Sequence, residues 1–230
     1  LQLVGEQLAT DDPAGAAKTL AKLRGTADGP LLNFRAVQVA AKQGDLAAAR
    51  AGLRALGTDP AVSRGLLRDA AAALAEAGWD AEVDEEVEWL AGDSAVTPAA
   101  AWLWADRTIR KGKGWKVADK LADLAERSPA AGREAALTYA WGMAVLGRPD
   151  DVAATVQRYA ELIRADDDGW ARAGESLSVA GKHALAAAWL GDWRDRANVN
   201  PWMLVALANS LRGVGDDAGA MAVTRDSSDG

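Results

Sequence analysis

The stretch WARAGESLSVAGKHALA, residues 170–186, carries the pattern that decides the fold. Counting from Gly181, an apolar residue stands four places before it (Leu177), a small one eight before (Ala173) and another small one five after (Ala186). Positions eight and four before the glycine lie one helical turn apart and share a face. A small side chain five places after it lets a second, antiparallel helix approach the first closely. The stretch therefore reads as a helix, a tight turn and a second helix.

The same spacing recurs along the chain. Turns fall at Gly44, Gly78, Lys113, Gly147, Gly181 and Gly215, about 34 residues apart. Four places before them stand Ala40, Leu74, Ile109, Met143, Leu177 and Leu211; eight before stand Ala36, Ala70, Ala105, Tyr139, Ala173 and Leu207. Five places after come Ala49, Val83, Ala118, Val152, Ala186 and Ala220. A period near 34 marks an array of helix–turn–helix units. The prolines punctuate it. Pro30, Pro60, Pro98, Pro129 and Pro201 open the first helix of a unit, and Pro13 and Pro149 open a second helix, where a missing N–H has no intrahelical partner to lose. Asp12, Asp59, Thr97, Ser128 and Asn200 precede them as capping residues. An incomplete earlier unit carries Val4, Leu8, Asp12 and Ala17 in the expected order. The whole chain, 1–230, is expected to be one all-α solenoid domain of about seven units, near 1–27, 28–59, 60–96, 97–128, 129–165, 166–199 and 200–225.

At this point the chain resembles the tetratricopeptide repeat family in unit length and order of features. The family's leucine–glycine pair corresponds to Ala173-Gly174 and Leu207-Ala208, its early tryptophan to Trp102 and Trp170, and its aspartate after the turn to Asp45 and Asp216. Lys113 and Asp106 depart from the pattern, and the closing proline is displaced or missing. The resemblance implies a right-handed superhelix with the first helix of each unit lining the concave side. It also implies a protein-interaction scaffold that takes a peptide or helix of a partner in that groove. The family's carboxylate clamp for chaperone tails is not reproduced.

The net charge of −7 argues against a general nucleic-acid surface and suits a basic or mixed-charge partner. Zero cysteines exclude disulfides and thiol chemistry. Alanine makes up about a quarter of the chain, as close helix packing favours. The Ala, Arg, Asp and Gly vocabulary points to a GC-rich bacterial source. No apolar run reaches membrane-spanning length and no signal-peptide pattern opens the chain, which favours the cytoplasm. The missing initial methionine and the clipped first helix read as a piece of a longer protein. An accessory domain of a larger bacterial enzyme or assembly is the alternative to the scaffold reading, and stacking of exposed repeat ends on a second copy is a further possibility.

The residues for chemistry are few, and no enzyme, cofactor or metal is expected. His183 is the lone histidine, at the start of a second helix. The run Lys111-Gly-Lys-Gly-Trp-Lys116 lacks the strand and the Gly-Lys-Ser/Thr ending of a phosphate loop. Asp166, Asp168, Gly169 and Glu175 match four places of a calcium loop, but Arg164 occupies its first, and the aspartates also suit a helix N-terminus. The acidic run Asp80, Glu82, Asp84, Glu85, Glu86 and Glu88 reads as a solvated outer face or a docking patch.

Ten tryptophans against two tyrosines and one phenylalanine make tryptophan the main bulky aromatic. Trp102 and Trp170 are expected in the core. Trp89, Trp189 and Trp193 are expected on second helices between units, and Trp104 fits either face. Trp141 and Trp202 fall on the groove-lining register, where aromatics anchor bound segments. The same register brings Phe34, Gln38, Arg68, Arg107, Arg110, Lys111, Glu175, Asn209 and Arg212 to that surface. Arg107, Arg110 and Lys111 form a basic cluster that either receives a partner carboxylate or pairs with neighbouring acids.

Overall fold

A computed structural model describes residues 1–23 and 29–226; the expected unit boundary at 27/28 and the last four residues of the polar tail lie outside them. Among the described residues the chain is all-helical, with no strand. The helices are α1 (Gln2–Ala9), α2 (Pro13–Leu23), α3 (Pro30–Gln43), α4 (Leu46–Gly57), α5 (Arg64–Glu76), α6 (Asp80–Gly92), α7 (Pro98–Arg110) and α8 (Gly114–Arg127). They continue as α9 (Pro129–Val145), α10 (Pro149–Arg158), α11 (Ala160–Arg164), α12 (Asp167–Val179), α13 (His183–Leu190), α14 (Pro201–Gly213) and α15 (Asp217–Asp226). None is long and apolar enough to cross a membrane.

One backbone device closes seven of these helices. At Gly181, φ is +73°; its N–H donates to the Ser178 carbonyl at 3.0 Å, and the Lys182 N–H donates to the Leu177 carbonyl at 2.9 Å. The same pair of bonds, three and five residues back, recurs at Asp11, Gly44, Gly78, Gly112, Gly147 and Gly215, each with positive φ. This is the Schellman termination, which uses a left-handed residue to satisfy the last carbonyls of a helix.

Two turns therefore sit one residue earlier than the sequence spacing suggests. The fourth is Gly112 at φ +71°, not Lys113, because only glycine adopts this backbone without a Cβ clash that costs about 1–2 kcal/mol. The first is Asp11 at φ +58°, where a short polar side chain is tolerated. With these corrections, the residues five places after the turns are Ala16, Ala49, Val83, Val117, Val152, Ala186 and Ala220. All seven are completely buried. Val117 and Ala16 replace Ala118 and Ala17, which are only half-buried. Trp104 and Thr108 likewise take the places assigned to Ala105 and Ile109, and Trp104 is buried in the core.

Six of the seven prolines open the helices expected of them. Pro60 does not. It lies in a turn where Asp59 accepts from the Ala61 N–H at 2.9 Å, and α5 starts later, capped by Ser63, which accepts from the Leu66 N–H at 3.2 Å.

The described residues fall into two compact units, one of Leu1–Arg107 with Asp123–Gly132 and one of Thr108–Ala122 with Arg133–Gly230. In the first, α3 packs on α4 and α5, and α4 packs on α6. Leu53, Leu67, Leu74 and Leu90 fill its interior. In the second, α12 packs on α13 and α14, and α14 on α15, around Trp170, Leu177, Leu190 and Leu207. Gly174 allows α12 and α13 to touch, since a Cβ there would lie 2.3 Å from a Leu190 methyl carbon.

Candidate functional site

The corrected turns redefine which residues share a face. Six places before each of the six glycine turns stand Gln38, Ala72, Asp106, Trp141, Glu175 and Asn209, which are exposed or half-buried. One place later stand Val39, Ala73, Arg107, Gly142, Ser176 and Ser210, of which Val39, Ser176 and Ser210 are buried. The one-residue shift moves Arg107 from the first row to the second. Its side chain is only 18% exposed, and its guanidinium donates to Asp80 at 2.7 Å and to Asp84 at 2.8 Å. Arg107 is thus an internal ion-pair residue rather than a surface cation.

The acidic run on α6 is mostly paired, and one of its members, Glu86, is internal. The Glu86 side chain is fully buried, held by Arg50 at 2.5 Å and by two guanidinium bonds from Arg54, one of 3.0 Å. Burial pushes the Glu86 carboxyl up, but the hydrogen bonds of Arg54 and Arg50 outweigh it and hold the carboxyl below its ordinary value. Glu85 pairs with Arg50 at 3.1 Å, and Glu88 accepts from the Trp104 indole at 2.8 Å. Arg54 also stacks on the exposed Trp89, 4.7 Å from the ring centre. The solvated-face reading holds for Asp80 and Glu85, which are exposed, and fails for the buried Glu86, while five of the six carboxylates tie α6 to α4 and α7.

The remaining predicted residues divide by unit. In the first, Phe34 is buried at 8% exposure, not on the surface, with the Arg35 guanidinium over its ring. Gln38 accepts from Arg35 at 2.7 Å, and the exposed Arg68 pairs with its neighbour Asp69 at 3.0 Å. In the second unit, Arg110 and Lys111 are exposed at the end of α7 and in the turn after it. Trp141 is 44% and Trp202 74% exposed. Asn209 is exposed and accepts from Arg212 at 3.4 Å.

Within the second unit lies a groove of about 700 Å³ between α12 and the segment 197–203 that leads into α14. Local sequence builds it. Asn200 accepts from the Trp202 N–H at 3.0 Å and Pro201 fixes the first helical position, so Trp202 sits in the opening turn of α14 at the groove wall. The segment is tied back to α12 by Asp167, which accepts from the Asn198 N–H at 2.9 Å and meets Arg196 at 3.5 Å. Asp166 caps α12 through the Gly169 N–H at 2.6 Å and pairs with Arg133 at 2.5 Å. The aspartate triplet thus serves the helix start and its arginines. Arg172 in the wall makes two 2.9 Å bonds to Glu134, whose side chain is nearly buried. Its charge is balanced there. Asp168 reaches Arg172 only at 3.4 Å and is largely exposed. Glu175 is exposed and has no hydrogen bond or ion pair among the described residues.

In the same unit the tryptophans lock α12 to α13. The Trp170 indole N–H donates to the Trp189 carbonyl at 2.9 Å, and the Trp189 indole donates to the Trp170 carbonyl at 2.8 Å. Arg164 stacks on Trp189 at 4.2 Å and Arg196 on Trp170 at 4.8 Å, and both donate to Asp192 at 2.9 Å. Burial raises the Asp192 carboxyl, but Arg196 and then Arg164 bring it below its ordinary value. Trp193 lies in a 3-10 turn after α13, not on that helix. His183 begins α13 as expected. Trp102 is half-buried rather than in the core.

Sequence reasoning missed Asp168, Arg172 and the segment 197–200 as groove walls. The Asn200-Pro201 pair ahead of Trp202 was the available signal. No protein-family model matches the chain, and neither a curated protein nor a solved structure does.

Proposed function

We propose that this chain is a protein-interaction module, a tetratricopeptide-like array of about seven helix pairs in a right-handed solenoid, that binds an extended segment of a partner. Seven identical helix terminations near a 34-residue spacing, each followed five places on by a fully buried alanine or valine, support the repeat reading. The single observation that carries the binding reading is Trp202. A tryptophan left 74% exposed on the wall of a 700 Å³ groove is the kind of aromatic that anchors an interface. The chemistry is recognition rather than catalysis. Segments are held by groove contacts around Trp202, with Asn209, Arg212 and Trp141 further along the same unit as secondary contacts.

The test is selection of a random-peptide display library on the immobilised protein, followed by binding of the enriched peptides to wild type and to Trp202→Ala. Enriched peptides are expected to weaken roughly tenfold or more on loss of the anchor. Peptides that bind the variant unchanged, or a library that yields none, would overturn the reading.

A further inference from the structure

From the groove, and resting on the reading just given, we infer that the partner segment presents an arginine to Trp202. The observation behind this is a unit of structure that the molecule repeats. Arg54 lies over Trp89 and bonds Glu86; Arg164 lies over Trp189 and bonds Asp192; Arg196 lies over Trp170 and bonds Asp192. Each is a guanidinium held between an indole face and a carboxylate. Stacking and a charge-assisted hydrogen bond act on it together there.

At the groove the indole and the carboxylates are present with no guanidinium over the ring; the Arg172 guanidinium reaches Asp168 only at 3.4 Å. Trp202 carries no cation over its ring among the described residues. Glu175 has no partner there, and Asp168 is largely exposed. The one arginine in the wall, Arg172, is committed to Glu134. The groove therefore presents uncompensated negative charge beside an exposed indole, and a cationic side chain complements both. Arginine fits better than lysine, because its planar group stacks on the ring while its edge donates to a carboxylate. An acidic or phosphate-bearing segment is disfavoured by the same charges.

The experiment uses the intact chain and three capped heptapeptides, Gly-Ser-Gly-X-Gly-Ser-Gly, with X as arginine, citrulline or glutamate. The observable is the indole N–H resonance of Trp202, assigned with Trp202→Phe. Citrulline keeps the shape of arginine and removes its charge. The arginine peptide is expected to shift that resonance and to bind roughly three- to tenfold more tightly than the citrulline peptide. Glu175→Gln is expected to narrow that gap, and salt to weaken the arginine peptide more than the citrulline one. Equal shifts with arginine and citrulline, or a stronger response to glutamate, overturn the cationic class and leave the groove reading standing. A Trp202 resonance that none of the three peptides moves overturns the inference. If display-selected peptides leave it unmoved too, the groove reading falls with it.

Discussion

Helix α6 and the opening of helix α12 are both acidic, and the molecule uses them in opposite ways. On α6, Glu86 is buried between two arginines of α4, while Asp80 and Asp84 grip Arg107 of α7. On α12, Asp166 and Asp167 serve the helix cap and local arginines, but Asp168 and Glu175 remain at the edge of a groove. Acids of such a run thus become structural where arginines are free to meet them, and stay exposed, as Asp168 does, where the nearby arginine is already committed to another carboxylate.

The largest effect expected from breaking this contrast is at Glu86. Glu86→Ala leaves Arg50 and Arg54 without their shared anion and opens a cavity in the α4–α6 contact. It should lower stability by about 2–4 kcal/mol in urea unfolding. A loss below about 1 kcal/mol would mean that the pair contributes little. Arg107→Ala removes the clamp on Asp80 and Asp84 and should cost about 1–2 kcal/mol, with the peptide response at Trp202 unchanged. Its loss of peptide binding would return Arg107 to the site.

Acid gives a third handle. The Glu86 carboxyl titrates below its ordinary 4.5 when folded, so the unfolded chain takes up the proton first. The stability from its pairing is complete above pH 4.5 and is lost as pH falls through the lower folded value. Unfolding curves measured downward from that pH should fall more steeply for wild type than for Glu86→Gln. Parallel curves would remove Glu86 from the acid response.

Asp11→Gly relieves the left-handed backbone at the first turn and should stabilise the chain by up to about 1 kcal/mol, read by thermal unfolding. Destabilisation would show that the Asp11 side chain holds the turn. Glu175→Gln should leave stability within about 0.5 kcal/mol, in contrast to Glu86, while weakening the arginine peptide.

The helical pairs were legible because they repeat. Spacing, proline placement and capping residues located the helix starts, and only Pro60 misled among the prolines. What the sequence hid was a single residue of register. Lys113 sits between Gly112 and Gly114, so spacing alone allowed three choices. The backbone selects the first because Val117 then reaches the fully buried position. That one step carried Arg107 out of the expected site and Trp104 into the core. The role of α6 was illegible for a different reason. Its carboxylates are answered by Arg50, Arg54 and Arg107, which lie 23 to 36 residues away along the chain, and no local pattern announces such pairs. Trp202 was legible as an exposed candidate, but its wall partners come from α12 and became apparent only once α12 and α14 were packed.

The most direct test of the account is a fluorine spectrum of protein labelled throughout with 5-fluorotryptophan, recorded while the arginine heptapeptide is added. The Trp202 resonance, assigned by Trp202→Phe, is predicted to move first and furthest of the ten, with Trp170 and Trp189 unmoved in their reciprocal hydrogen bonds. Movement of Trp141 or Trp115 with Trp202 fixed would contradict the account and place the binding surface elsewhere on the molecule.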